Sequence, residues 1–360
     1  MKRNNKTSHT IHNILKRTII EPHDFMAMIM GQPEAIAKKL QPIQDYLRDK
    51  APQRLFRLRK CSEDSFNALR NDNLYLTRAD HFNDPFDCLL QFDRGKLFDY
   101  IDKQLTAQNL KEYLRSINVQ FPLTDDVQTE EQFLEQCMNA KSTFLSSIES
   151  TFTNVTGILQ RSTYIVSLTE TLASPIMWSH YSDYHQGFAI AYEFEPSYFE
   201  PSPHFPADDK FDGFGWRSLL PVYYSKYRAD GIQLANWLCQ CEMRKAVGQN
   251  EDWTWCIPDM LLKTKLSLTK SESWAYEKEW RIILTHEWPN EFGDPSIHFI
   301  QKAVGIYLGA RIHEDDKAKL CAIAKEKGIP VYQMYIGYSI DLFFYQMFLP
   351  SNNPCALMFV

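Results

Sequence analysis

The segment MWSHYSDYHQGFAIAYEF, residues 177–194, predicts a helix, a turn and a strand in direct succession. Ser174 and Pro175 come just before it. This pair is typical of a helix start, because serine caps the first turn and proline fits there. Gly187 permits the positive φ with which a chain can leave a helix. The strand after it alternates large and small apolar side chains, which predicts that one face packs in the core.

The polar side chains of this segment allow three interpretations: a metal site, a ligand cleft or a structural corner. His180 and His185 are five residues apart across a helix end, so they need not converge, and we predict no metal site. A corner whose polar groups are hydrogen-bonded is the second interpretation. The third makes His180 and Tyr181 one wall of a cleft, with His185 anchoring the turn.

The composition is that of a globular protein with a sizeable core. The chain has 360 residues, of which 44% are hydrophobic and 14% aromatic. Its 45 acidic and 39 basic side chains give a formal charge of -6, which argues against a protein that wraps nucleic acid. No stretch approaches the roughly 18 apolar residues of a membrane span, so no membrane association is predicted. The eight cysteines lack disulfide or zinc spacing, which predicts free thiols and a cytoplasmic location.

The chain as a whole predicts an α+β fold with a mixed, mostly antiparallel sheet. Strand patterns lie at 55–60, 163–168, 187–194, 221–225, 279–284, 305–309 and 331–336, and a last helix covers 314–327. We predict a helical N-terminal extension over residues 1–50, a single domain over 51–350 and a tail over 351–360. A helical insertion at about 94–160 interrupts the domain, and we expect it to be a lid or a surface for a partner protein.

The segment SWAYEKEWRIIL, residues 273–284, carries an unusual set of charges within a strand pattern. In an extended chain Glu277, Glu279 and Arg281 share one face, while apolar side chains occupy the other. One interpretation is a solvated face on which the charges pair with each other. The other is the edge of a partly buried cleft, which the neighbouring tryptophan and tyrosine side chains favour, because buried charges are kept only when paired or used.

The segment FNDPFD, residues 82–87, is typical of a tight turn, because Pro85 keeps Asp84 out of the helical region. The structural interpretation is a turn held by its two phenylalanines. The functional interpretation is a loop that offers Asn83, Asp84 or Asp87 to a ligand.

The segment LFRLRK, residues 55–60, predicts a first strand with Arg57 and Arg59 on one face. A strand that directs two arginines inward is suited to phosphate groups, since the guanidinium fork binds them through two parallel hydrogen bonds.

These segments occur together in an order that resembles a known family. LFRLRK, ALRNDNLYLTRADHFNDPFDC, SLTE followed by MWSHYSDYHQGFAIAYEF, and SWAYEKEWRI resemble the bacterial family catalogued as domain of unknown function 2971. The resemblance covers about residues 52–93, 161–194 and 263–309. Leu58 and Val166 depart from the aromatic residues that the family often has there. The family name implies no chemistry.

The same motifs also resemble, in their order, ADP-ribosyltransferases of the arginine–serine–glutamate type. Arg57 or Arg59, then Ser167, then Glu277 and Glu279 match the arginine, serine and E-x-E positions. This resemblance implies an ADP-ribosyltransferase-like sheet core and NAD as the cofactor. It also implies that the arginine holds NAD, that Ser167 orients the carboxylate and that Glu279 contacts the nicotinamide ribose.

The predicted function is therefore that of an NAD-using ADP-ribosyltransferase or NAD glycohydrolase, an effector in bacterial defence or stress. One alternative is a non-catalytic binding or sensor module that uses the insertion as its partner surface. Another is a metal-dependent nuclease or phosphoesterase built on the acidic residues of FNDPFD and YEKEWR. The expected partners are a small nucleotide and a macromolecular acceptor of open identity. The candidate catalytic residues are Glu279, Glu277 and Ser167, and the candidate cofactor-binding residues are Arg57, Arg59, Asn83, Asp84, Trp178, His180, Tyr181 and Arg281.

Overall fold

The computed structural model describes residues 51–104, 106, 108, 129–139, 141–195, 219–246, 262–285, 298–336, 343–348 and 354–358. The strands are β1 (Arg54–Arg59), β2 (Asn73–Tyr75), β3 (Thr77–Arg78), β4 (Leu90–Gln91), β5 (Thr163–Thr169), β6 (Phe188–Glu193), β7 (Leu219–Pro221), β8 (Tyr223–Ser225), β9 (Ala229–Asp230), β10 (Thr269–Ser271), β11 (Glu279–Thr285), β12 (His298–Ile300), β13 (Ala303–Leu308), β14 (Val331–Ile336), β15 (Phe343–Phe348) and β16 (Pro354–Met358). The helices are α1 (Glu63–Arg70), α2 (Arg94–Gln104), α3 (Glu130–Asn139), α4 (Lys141–Arg161), α5 (Pro175–Tyr181), α6 (Ile232–Ala246), α7 (Leu262–Leu268) and α8 (Glu314–Lys327), with short 3-10 helices at Ala79–His81 and Glu272–Glu277.

One mixed sheet organises the part of the chain that the structure describes. Its ten strands include nine in the order β16-β15-β14-β13-β6-β1-β5-β11-β7, and β3 pairs with β5 beside this path. β13 and β14 are parallel, and the other neighbours are antiparallel. The α+β prediction is confirmed. The segment 351–360, which the sequence predicts to be a tail, contains β16. The predicted extension over residues 1–50 lies outside the described residues. The likeness of the sheet to that of ADP-ribosyltransferases stays a prediction.

The sheet opens between β1 and β5, and this gap positions the site. The two strands pair through Phe56 and Thr169 alone. Farther along β5, the partner is instead β3, which pairs with Ile165 and Tyr164. On its other edge β5 pairs with β11 along its whole length, so that Arg281 lies opposite Ser167. A hydrogen-bonded wall of two strands therefore borders a space that β1 leaves open.

The insertion helices, together with α6 from later in the chain, form a second core on one face of the sheet. Helices α2, α4 and α6 pack there around buried Ile148, Phe152 and Val155, and Ile165 of β5 faces them. The apolar stripe of α4 is therefore internal. A partner surface elsewhere on the insertion stays a prediction. No helix among the described residues is long and apolar enough to cross a bilayer.

The segment 177–194 folds as a helix, a turn and a strand, as predicted. The Ser174 side chain accepts a hydrogen bond from the Met177 amide, and Pro175 occupies the first turn of α5. The chain then leaves α5 through left-handed residues, with φ of 48° at Asp183, 53° at Tyr184 and 69° at His185.

The prediction that Gly187 supplies the positive φ is wrong, because Asp183–His185 already supply it. Gly187 is required by close approach instead, since a Cβ there would lie 2.1 Å from the Arg59 carbonyl oxygen. A Cβ at Gly309 would lie 2.2 Å from the His185 carbonyl oxygen, and the Gly309 amide donates to the Gly187 carbonyl at 2.8 Å. The two glycines thus pack this corner against β1 and the end of β13.

We predict that Gly187→Ala lowers the free energy of unfolding by about 3 kcal/mol, because backbone atoms must move to admit the methyl group. Chemical denaturation followed by circular dichroism measures this change. Gly157→Ala is the matched control: it lies inside α4 near the flexible end of Arg161, and we expect it to stabilise by roughly 0.5–1 kcal/mol. Equal stability of Gly187→Ala and wild type would contradict the close-approach argument.

Candidate functional site

A guanidinium that is 0% exposed lies at the centre of the candidate site. Arg281 Nε donates to Glu279 Oε1 at 2.7 Å, and its NH2 group donates to Asp87 Oδ2 at 2.5 Å. Its NH1 group donates to Asp87 Oδ1 at 3.0 Å and to the Ser267 carbonyl at 2.6 Å. Arg281 therefore joins β11, the FNDPFD turn and the end of α7.

Lys270 of β10 extends this network to the second glutamate. Its Nζ lies 2.6 Å from Glu277 Oε2, 2.8 Å from Glu279 Oε2 and 3.7 Å from Asp87 Oδ2. It also lies over the ring of Trp274, 5.2 Å from the centroid. We call Asp87, Lys270, Glu277, Glu279 and Arg281 the charge cluster.

The charge cluster decides between the two interpretations of the YEKEWR segment. A solvated face is wrong, because Glu277 and Glu279 are each 3% exposed and Arg281 is fully buried. Charges at such depth persist only when their partners are close and well oriented. The hydrogen bonds and ion pairs of Arg281 and Lys270 meet this condition, so the segment borders a buried polar site.

Glu277 and Glu279 reach the cluster from different local structures. Glu277 ends a 3-10 helix, Lys278 takes the left-handed conformation with φ of 44°, and Glu279 is the first residue of β11. The prediction that both glutamates share one strand face is therefore wrong for Glu277. The Thr169 hydroxyl fixes this bend by donating to the Glu277 carbonyl at 2.5 Å.

The surroundings move the pKa values of the two glutamates in opposite directions. Burial, together with the nearby charge of Glu279, raises the pKa of Glu277. Burial also acts to raise the pKa of Glu279, but the adjacent charges of Arg281 and Lys270 outweigh it and hold that pKa well below its ordinary value. The same carboxylates raise the pKa of Lys270 against the opposing effect of burial, so the ammonium keeps its charge.

The charge cluster borders a cavity of about 250 Å³ that fills the gap between β1 and β5. Residues from distant parts of the sequence form its walls: Phe56, Arg57, Leu58, Arg59, Thr77, His81, Phe82, Asn83, Asp87, Ile165, Ser167, Leu168, Thr169, Met177, Tyr181, Lys270, Glu277, Glu279 and Arg281. Eight of the predicted site residues are among them: Arg57, Arg59, Asn83, Ser167, Tyr181, Glu277, Glu279 and Arg281.

Three predicted site residues lie outside the cavity walls. The Asp84 carboxylate accepts a hydrogen bond from the Phe86 amide at 2.9 Å and so serves the turn. Trp178 is fully buried, and its Nε1 donates to the Leu172 carbonyl at 2.8 Å. His180 is exposed beside the wall, with its ring 6.2 Å from that of Tyr181.

Arg57 and Arg59 of β1 are among the residues that line the cavity. Arg57 NH1 donates to the Tyr75 carbonyl at 2.7 Å. Burial and the charge of Arg59 lower the pKa of Arg57 to about 9, and burial lowers the pKa of Arg59 as well. Across the described ranges, neither forms an ion pair with a carboxylate, in contrast to Arg54 on the same strand. The part of the cavity that they line therefore favours an anion.

Lys270 is the main residue that the sequence did not single out. It follows the apolar residues of α7 and comes seven positions before Glu277, and this spacing alone gives no reason for the two to meet. The sequence indicates Asp87 as a turn residue, a ligand-binding residue or part of a metal site, but nothing local links it to Arg281, 194 positions later.

No group of three or more histidine, cysteine, aspartate or glutamate side chains is arranged to hold a metal ion, as far as the described residues extend. Asp87, Glu277 and Glu279 do converge, but on the cationic groups of Lys270 and Arg281. The His185 ring stacks on Trp178, with the centroids 6.4 Å apart.

Residues 177–282 match the model of a family described as Protein of unknown function (DUF2971). The predicted resemblance to this family is confirmed over that segment, which runs from α5 into β11 and carries Tyr181 and the charge cluster except Asp87. No curated protein matches the chain, and no solved structure does.

We predict that Arg281→Met lowers the free energy of unfolding by about 3–5 kcal/mol, because it leaves Asp87 and Glu279 buried without their cation. Urea denaturation at neutral pH measures the loss. Arg54→Met is the matched control, since it removes the exposed pair with Glu193 and is expected to cost less than about 1 kcal/mol. Similar losses in the two variants would show that the charge cluster contributes no more than a surface pair.

Proposed function

We propose that the cavity binds the nicotinamide-ribose part of NAD, and that the protein transfers ADP-ribose from NAD to an acceptor or to water. One observation carries this proposal. The β1 arginines, Ser167 and the two glutamates of YEKEWR, which lie far apart in sequence, line the same cavity. These are the positions that match the arginine, serine and E-x-E motifs.

The size and charge of the cavity support a nucleotide fragment as the ligand. Its volume of about 250 Å³ is just under the roughly 300–1,000 Å³ of ligand pockets, so it suits part of a dinucleotide. Arg57 and Arg59 are among the lining residues and have no carboxylate partner among the described residues, and guanidinium groups bind phosphate well.

The acidic side of the cavity supports cleavage of a glycosidic bond. Loss of nicotinamide leaves positive charge on the ribose C1′, and carboxylates held in advance in a water-poor site stabilise that charge most effectively. Glu277 and Glu279 are held in this way by Lys270 and Arg281. Ser167 lines the cavity opposite Arg281 in the β5–β11 register, at a suitable place to orient a ligand.

A binding or sensor protein without turnover is the second candidate, and the charge cluster itself favours it. Every carboxylate oxygen of Glu277 and Glu279 already accepts a hydrogen bond from the protein. Such a protein would bind the nucleotide through Arg57 and Arg59 and release it unchanged.

The proposal includes a cytoplasmic setting in a bacterium, within a defence or stress response. The cysteines support the reducing compartment, because Cys61, Cys88, Cys239, Cys241 and Cys321 are free thiols. The acceptor of ADP-ribose belongs to the macromolecules of that compartment.

We predict that the wild-type protein binds NAD and releases nicotinamide, and that Arg57→Met or Arg59→Met weakens NAD binding about 10–100-fold, because a charge-assisted hydrogen bond is lost. Calorimetry gives the affinity, and chromatography of the reaction mixture gives the nicotinamide.

Arg54→Met, at the exposed end of the same strand, is the control and should bind NAD like wild type. Binding without release of nicotinamide would favour the sensor candidate. Absence of both binding and release in the wild-type protein would refute the proposed function.

A further inference from the structure

We propose that Glu277, with Tyr181 as its hydrogen-bond donor, is the general base of this site and that Glu279 is a structural residue that keeps the site charged. This inference rests on the proposed function and assigns roles within it. It differs from the motif resemblance, which implies that Glu279 meets the substrate.

Glu279 is held by cations on both of its oxygens. Oε1 accepts from Arg281 Nε at 2.7 Å, and Oε2 accepts from Lys270 Nζ at 2.8 Å and from Arg281 NH2 at 3.2 Å. Its backbone amide donates to the Tyr224 hydroxyl at 2.8 Å. A substrate atom that displaced either cation would leave a buried charge unpaired, which is costly. Glu279 is therefore fixed in place and held ionised.

Glu277 has one permanent partner and one that a ligand can replace. Oε2 accepts from Lys270 Nζ at 2.6 Å, and Oε1 accepts from the Tyr181 hydroxyl at 2.6 Å. Tyr181 is neutral and half-buried, and it lines the cavity from the last residue of α5. A water molecule or an acceptor hydroxyl that takes its place on Oε1 breaks one neutral-donor hydrogen bond and leaves no cation unpaired.

The charges that face Glu277 also suit a base. The charged groups are Lys270 of β10 and Glu279 of β11, and the neutral titratable groups are Tyr181 of α5, Tyr224 of β8 and Tyr276 of its own 3-10 helix. Burial and the ionised Glu279 raise the pKa of Glu277, while Lys270 and the Tyr181 hydrogen bond lower it. Two carboxyl groups whose pKa values are shifted in opposite directions can take different roles, one as a proton acceptor and one as a fixed charge.

The proposed step balances with NAD and water as the reactants. The C1′–N bond breaks, and its electron pair stays on the ring nitrogen of neutral nicotinamide. The oxygen of water, or of an acceptor hydroxyl, forms the new bond to C1′. Its proton passes to Glu277, which later releases it to solvent. NAD and water thus give ADP-ribose, nicotinamide and one proton.

We test this assignment with the pH dependence of kcat/KM for nicotinamide release. Glu277→Gln should lower kcat/KM by roughly 10²–10⁴-fold, because the proton acceptor is lost. In the wild type kcat/KM should rise with pH as Glu277 ionises. Tyr181→Phe should move this rise to higher pH by about one unit, since removal of a donor raises the pKa of the carboxyl. Glu279→Gln, where it folds, should move the rise to lower pH.

Two conservative variants serve as controls. Glu272→Gln changes an exposed glutamate of the same 3-10 helix, and Tyr184→Phe changes an exposed tyrosine of the neighbouring turn. Both should keep the wild-type pH profile. A purely structural role for Tyr181 would lower the amount of folded protein but leave the profile in place.

Wild-type kcat/KM in Glu277→Gln, or an unmoved profile in Tyr181→Phe, would overturn the assignment while the proposed function stands. A wild-type protein that releases no nicotinamide at any pH would instead refute the proposed function and the assignment with it. Because Tyr181→Phe removes only one oxygen, it keeps the test decisive if Glu279→Gln does not fold.

Discussion

The buried guanidinium of Arg281 is the interaction on which the site depends. A cation at this depth needs several close acceptors, and they come from the FNDPFD turn, from the end of α7 and from β11 itself. Satisfying this one group therefore fixes three distant segments relative to each other. The same contacts set the position of Glu279, which in turn holds Lys270 and, through it, Glu277. The contacts that the buried Arg281 guanidinium requires therefore position the acidic wall of the cavity.

The cavity exists because the sheet does not close between β1 and β5. A single residue pair joins these strands, and β3 takes the remaining edge of β5. The corner at Gly187 and Gly309 then holds the chain against β1, at the end of the turn that follows α5. Since Tyr181 is the last residue of α5, the packing of this corner contributes to the position of its hydroxyl beside Glu277. The fold and the chemistry of the site are thus linked through backbone contacts.

The sequence predicts the parts of this arrangement that depend on local periodicity. Alternating side chains locate β5, β6 and β11, and the Ser174-Pro175 pair locates the start of α5. It does not predict Lys270 or Asp87 at the site, because their roles depend on which segments meet in three dimensions. It also places Glu277 on the wrong surface, since a strand pattern assumes that Lys278 is extended. A glycine in the sequence does not show whether it is required for a positive φ or, as at Gly187, for close approach of another backbone segment.

The left-handed residue between the two glutamates explains how one short motif provides two different carboxylates. If Lys278 were extended, Glu277 and Glu279 would share one strand face. With φ of 44° at Lys278, the chain bends there, and Glu277 stays on the 3-10 helix, where it meets the hydroxyl of Tyr181. Glu279 enters β11 and pairs with Arg281 two residues along the same strand face. Burial acts on both groups to raise the pKa, but only Glu279 has Arg281 as a partner to oppose it. The opposite pKa shifts of the two glutamates therefore follow from the different partners that they meet on either side of the bend at Lys278.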